Sequence, residues 1–150
     1  MYNLIDQISA RCYEAANKRG KNTSPRGCIS SMGGELNEYW DAIDANKLSR
    51  PEDVAAAEKA TDNDEFIKVY EASLHNTATD ELADILITAA TWIETAKRET
   101  FNFQTERSLN VLLARGAVVF AGNRINNQDD VDLLFRVVYL KMKYNELRQK

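Results

Sequence analysis

The stretch "TDELADILITAATWIETAKR", residues 79–98, carries the clearest helical period in the chain. Its apolar positions Leu82, Ile85, Leu86, Ala89, Trp92, Ile93 and Ala96 recur every three or four residues, the period of an amphipathic α-helix and not of a strand. Thr77 or Thr79 can cap its start. Asp80 and Glu81 fall in the first turn, where the positive end of the helix dipole favours acids.

The same period runs outward in both directions. A first helix is predicted from about Asn3 to Asn17, with Leu4, Ile5, Ile8, Cys12 and Ala15 as its apolar stripe. "KRGKNTSPRG" (18–27) breaks it. A second helix carries Ile29, Met32, Leu36, Tyr39, Trp40 and Ile43 on one face and ends near "DANKLSRPED" (44–53). A short helix follows, with Ser49 as cap and Pro51 in its first turn. Another is predicted over "DNDEFIKVYEASL" (62–74), with Phe66, Val69 and Tyr70 apolar. Two more are read at about Thr105 to Ala121 and from Asp129 through "VDLLFRVVYLKMKYNELRQ". "GAVVFAG" (116–122) has strand propensity, but no second run offers it a partner. The prediction is one all-α domain over residues 1–150, with five to seven helices built on a four-helix core plus short extra helices.

Composition narrows the function. With 44% apolar residues the chain can bury a core, and a net charge of -4 argues against a general nucleic-acid or anionic-membrane binder. No run approaches a membrane-spanning length, and the N-terminus lacks a signal-peptide pattern. Cys12, Cys28 and a lone histidine make no zinc motif. Two isolated thiols fit a reducing cytoplasm.

Two carboxylate pairs carry the chemistry. Glu35 and Glu38 lie three apart in "GGELNEYWDAIDA" (33–45), and Glu81 and Asp84 repeat that spacing in "ATDELADILITAA" (78–90). Like charges three apart on a helix cost roughly 0.2–0.5 kcal/mol. At about 100° per residue, Glu35 and Glu81 lie about 75–80° from the centres of their apolar stripes, and Glu38 and Asp84 about 135–140°, all in the same rotational sense. Two such helices packed stripe to stripe and antiparallel bring all four acids to one side. Packed parallel, they separate them. A cluster of four carboxylates needs protonation or a cation. Oxygen ligands alone select hard ions, Mg²⁺ or Mn²⁺ or Ca²⁺, and Mg²⁺ shares its shell with phosphates. Either pair alone also fits an ordinary solvated helix face. On the last helix, Lys141, Asn145 and Arg148 share one face in "KMKYNELR" and suit phosphate oxygens, or simply complement the helix C-terminus.

Together, "GELNEYWDA", "DELADILI" and "KMKYNELR" resemble, in order, the ExxE, ExxD and KxxxNxxR motifs of the MazG-like all-α nucleoside triphosphate pyrophosphohydrolases. The resemblance spans about residue 30 to the C-terminus. It implies Glu35, Glu38, Glu81 and Asp84 as Mg²⁺ ligands (Mn²⁺ as the alternative ion). It implies Lys141, Asn145 and Arg148 as phosphate contacts, and hydrolysis of a (d)NTP to the monophosphate and pyrophosphate. Glu38 is the candidate base. A homodimer or homotetramer is expected, with the apolar "VLLARGAVVFA" (111–121) available for it. Phosphoribosyl-ATP or dUTP/dCTP hydrolysis within the same superfamily, and a non-catalytic nucleotide-sensing or protein-binding module, are the other readings. Trp40 and Trp92 are expected in the core and His75 in a turn. The nucleoside pocket is expected along the first helix and the 18–27 loop.

Overall fold

Seven α-helices make up the regular structure of residues 1–101 and 103–148, the residues described by the computed structural model, and no strand occurs among them. They are α1 (Tyr2–Lys18), α2 (Pro25–Asp44), α3 (Pro51–Lys59), α4 (Asn63–Ser73), α5 (Ala78–Arg98), α6 (Gln104–Asn123) and α7 (Gln128–Leu147). "GAVVFAG" is helical, inside α6. None of the described helices is long and apolar enough to cross a membrane.

The helix that opened the sequence reading is the centre of the molecule. From Ala78 to Ala96, every residue of α5 except Thr79 and Asp84 is buried. Four other helices, α1, α2, α6 and α7, pack around it. Amphipathic periodicity predicts one buried stripe, but here the residues off the stripe are small. Ala83, Ala90, Thr88, Thr91 and Thr95 let neighbours approach on every side, and the hydroxyls of Thr91 and Thr95 donate to the carbonyls of Ile87 and Thr23. Thr77 caps the helix by accepting from the Asp80 N–H. Helices α3 and α4 pack on each other and on α7. Ser49 does not cap α3: Arg50 holds that position without a side-chain bond, and Ser49 pairs its hydroxyl with Thr77 instead.

In α2 the buried line is Cys28, Met32, Tyr39 and Ala42, with Leu36 at its margin, and of the face read from the sequence Ile29, Trp40 and Ile43 are exposed. Trp40 is 43% exposed and leaves the core, against expectation. It lies edge-on to Tyr39 and Phe120, under the guanidinium of Arg124. Gly27, Cys28 and Ala42 let the backbone of α2 approach α5 along this line, with Met32 and Tyr39 filling the space between them, and Ile29, Trp40 and Ile43 are left facing outward. The rotation turns Glu35 toward α5. Trp92 is buried as expected, its indole N–H donating to Asn110 at 2.8 Å.

Helices α2 and α5 run antiparallel. Cys28 near the start of α2 meets Thr95 near the end of α5, and Lys47 just past α2 accepts from the Ala78 N–H at 2.8 Å. That is the orientation in which the two acidic pairs converge.

Candidate metal centre and adjoining cleft

Glu35, Glu38, Glu81 and Asp84 each contribute one carboxylate oxygen to a group whose members all lie within 4.8 Å of one another. Glu81 is buried, Glu35 and Asp84 are partly buried, and Glu38 is exposed at the rim. One oxygen of Glu35 and one of Glu81 are shut off from solvent with no hydrogen-bond donor among the described residues. Orphaned anionic oxygens in a buried site are costly, and a hard cation satisfies them. Burial pushes the Glu35 carboxyl up to about 8, with Asp84 adding repulsion. Burial also pushes Glu81 up to about 8, helped by Asp84 and Asp80. Burial raises Asp84 as well, against the pull of Lys141. The protein therefore holds Glu35 and Glu81 where protons stay on them near neutrality, and a divalent cation would displace those protons.

Next to the cluster lies a fifth acid, Asp80, whose role the sequence pattern does not show. Asp80 is fully buried, placed by the first turn of α5. It accepts from the Tyr70 hydroxyl of α4, from the Asn76 N–H at 2.9 Å, and from the Lys141 ammonium of α7 at 3.1 Å. His75 Nδ1 stands 3.7 Å away. Burial alone would raise Asp80, but these partners outweigh it and keep it ionised. The Lys141 ammonium also pairs with Asp84 at 2.9 Å. Burial disfavours that ammonium, and the two aspartates more than compensate. Only 1% exposed, Lys141 is spent on Asp80 and Asp84 and does not face the cleft. The spacing with Asn145 and Arg148 gives no sign of this, because the partner of Lys141 comes from another helix.

Beside the carboxylates opens a narrow cleft between α1, the 19–24 loop, α2, α5 and α7. Cys12, Ala16, Ile87 and Met142 form apolar walls. Asn22, Thr23, Ser31, Thr88 and Thr91 add polar groups, and Glu35 and Asp84 line the end toward the cluster. The first helix and the loop after it thus border the cleft, as the sequence reading expected of a pocket. Thr95 donates to the Thr23 carbonyl at 2.6 Å and fixes the loop to α5. Gly20 takes the positive φ of 71° that starts the loop. Gly27 sits so close to Asn22 that an added Cβ would lie 2.2 Å from the Asn22 carbonyl oxygen.

Asn145 is buried on the α7 wall, its Oδ1 without a donor. Arg148 lies over the Tyr144 ring, 5.0 Å from its centroid, and lines a second cleft that also contains Arg11, Lys18, Arg19 and Asn145. Of the three α7 residues in the motif, two therefore border open space and one is sealed inside.

Comparison of the chain with protein-family models, curated proteins and solved structures gives no match.

Proposed function

We propose that this chain is a divalent-metal-dependent nucleoside triphosphate pyrophosphohydrolase. The observation that carries the reading is the four-carboxylate cluster within 4.8 Å, with orphaned oxygens on Glu35 and Glu81, at the end of a cleft with apolar walls and polar groups between them. The donor set, all oxygen and all anionic, fits Mg²⁺ or Mn²⁺. When bound, such an ion supplies charge neutralisation on the phosphates and lowers the pKa of a coordinated water. Glu35, Glu81 and Asp84 would hold it. Lys141 would hold Asp84 in place from behind, with Asp80 as its counter-anchor. Glu38, the exposed member, meets solvent at the rim and would take the proton from water attacking the α-phosphorus. The apolar walls of the cleft would take the base, and its hydroxyl and amide groups would orient the nucleoside.

The exposed line Leu109, Leu112, Leu113 and Val119 on α6 supports a homo-oligomer, since an apolar stripe of this kind is commonly covered.

The test is pyrophosphate release from a panel of ribo- and deoxyribonucleoside triphosphates and phosphoribosyl-ATP, with Mg²⁺ and with EDTA, using wild type, Glu38→Gln and Asp84→Asn. Metal-dependent release that both variants lose supports the reading. Folded wild-type protein that releases nothing from any substrate overturns it, and nucleotide-induced stabilisation without turnover would then favour the sensing module.

A further inference from the structure

The cation best placed to meet a ligand anion lies outside the acidic and KxxxNxxR motifs, at the end of α1. Arg19 lines both clefts, and so stands where one opens into the other. Its Nε and one terminal nitrogen are shut off from solvent and have no hydrogen-bond partner among the described residues. Unpaired guanidinium donors of this kind are costly, and structures normally satisfy them. The obvious partners are at hand, because Glu35 and Asp84 line the same cleft. Arg19 nevertheless makes no ion pair within 4.0 Å of either, whereas Arg11 and Arg98 pair with Glu146 and Glu94. The guanidinium is thus held near the carboxylates without being neutralised by them. Burial lowers its pKa, and Arg148 adds like-charge repulsion, while Asp84 and Glu35 oppose both. Lys21, exposed at the cleft mouth, adds a further positive charge without an ion pair among the described residues. Opposite stands the buried, unsatisfied amide oxygen of Asn145, whose amide nitrogen remains a donor.

A ligand that satisfies this arrangement has anionic oxygens at two distances. One set would lie near the carboxylate cluster, where a cation would hold it, and another at Arg19, which lines the same cleft. We propose that Arg19, flanked by Lys21 and Arg148, forms a diphosphate-binding subsite that grips the phosphoryl groups beyond the one chelated at the carboxylate cluster. The planar fork of the guanidinium suits two oxygens of one phosphoryl group, which an ammonium cannot match. The inference rests on the metal reading of the cluster and deepens it, since the group gripped at Arg19 is the pyrophosphate that leaves.

The experiment separates the two. Mn²⁺ binding is followed by electron paramagnetic resonance. Inorganic pyrophosphate is then titrated calorimetrically into the Mn²⁺-loaded full chain, for wild type, Arg19→Gln and Arg19→Lys, with circular dichroism as the folding check. The expected result is unchanged Mn²⁺ affinity in all three, pyrophosphate affinity reduced at least tenfold in Arg19→Gln, and partial recovery in Arg19→Lys. Equal pyrophosphate affinity in wild type and Arg19→Gln overturns the subsite while leaving the metal centre standing. Wild type that binds no Mn²⁺ sinks the metal reading. Pyrophosphate titrated into the metal-free proteins then decides the subsite: an Arg19-dependent affinity supports it, and an affinity indifferent to Arg19, or no binding, overturns it.

Discussion

Replacing Glu81 with glutamine should stabilise the metal-free protein at neutral pH. An acid buried among acids is unusual in that removing its charge helps the fold. The folded protein holds the Glu81 proton up to about pH 8, against an ordinary value of 4.5. Between those values the folded state binds more protons than the unfolded chain, so the contribution of this group to stability falls as pH rises through the window. At pH 7 the 2.5 units above the ordinary value correspond to about 3 kcal/mol as an upper limit. Relaxation and water entry around the cluster reduce the realised effect to about 1–2 kcal/mol. Glutamine keeps the volume and places an amide donor among Glu38 and Asp84. In EDTA, Glu81→Gln should therefore unfold about 3–6 °C above wild type at pH 7. The gap should vanish near pH 4 and level off above pH 8. Saturating Mg²⁺ should reverse the order, because wild type gains about 2.7 kcal/mol at a hundredfold excess over Kd and the variant gains less. Thermal and urea unfolding across pH 4–9, with and without Mg²⁺, measure all of this. A variant less stable than wild type in EDTA at pH 7, or a gap that does not change with pH, would refute the picture of a desolvated, mutually repelling cluster.

Other perturbations read other parts of the molecule. Lys141→Met should cost about 3–5 kcal/mol in urea unfolding, because it strands Asp80 and Asp84 as unpaired buried charges; a cost under 1 kcal/mol would mean that Lys141 is not held as described. Gly27→Ala should displace the 19–24 loop, since its methyl would collide with the Asn22 backbone, and lower pyrophosphate affinity more than Mn²⁺ affinity; equal affinities would count against the loop as a cleft wall. The Cys12 thiol, which burial pushes up to about 12, should react with an alkylating reagent far more slowly at pH 8 than a free cysteine does. Leu112→Glu with Leu113→Glu should lower the mass seen by light scattering; a mass unchanged by the double change would remove α6 as the contact between copies.

The convergence of the acids was legible from spacing and helix direction, while the rotation of α2 that turns Glu35 further toward α5 was not. Two pairs with one rotational sense need only an antiparallel α2–α5 packing, and the chain provides it. The surroundings of the cluster were less legible, for reasons visible in single residues. Trp40 sits at an apolar period yet faces outward, because α2 meets α5 along the line of Cys28, Met32, Tyr39 and Ala42. Asp80 read as a dipole-compatible first-turn acid, and nothing local announces that Lys141, 61 positions later, will bury beside it. Arg19 read as part of a helix-breaking stretch. Its significance is the lack of a partner, a property that exists only once the neighbours are in place.

The central position of α5 has a consequence for how the molecule opens. A helix touched on four sides loses its backbone hydrogen bonds only when most of the fold comes apart. Its amides should therefore exchange with deuterium last, at the rate of global unfolding. Those of α3 and α6, which rest on fewer neighbours, should exchange earlier through local openings. Half of the carboxylate cluster thus stands on the slowest part of the chain, and the 19–24 loop that borders the cleft is tied to that part through Thr95. Binding events in the cleft should register as protection of loop amides against a background from α5 that does not change.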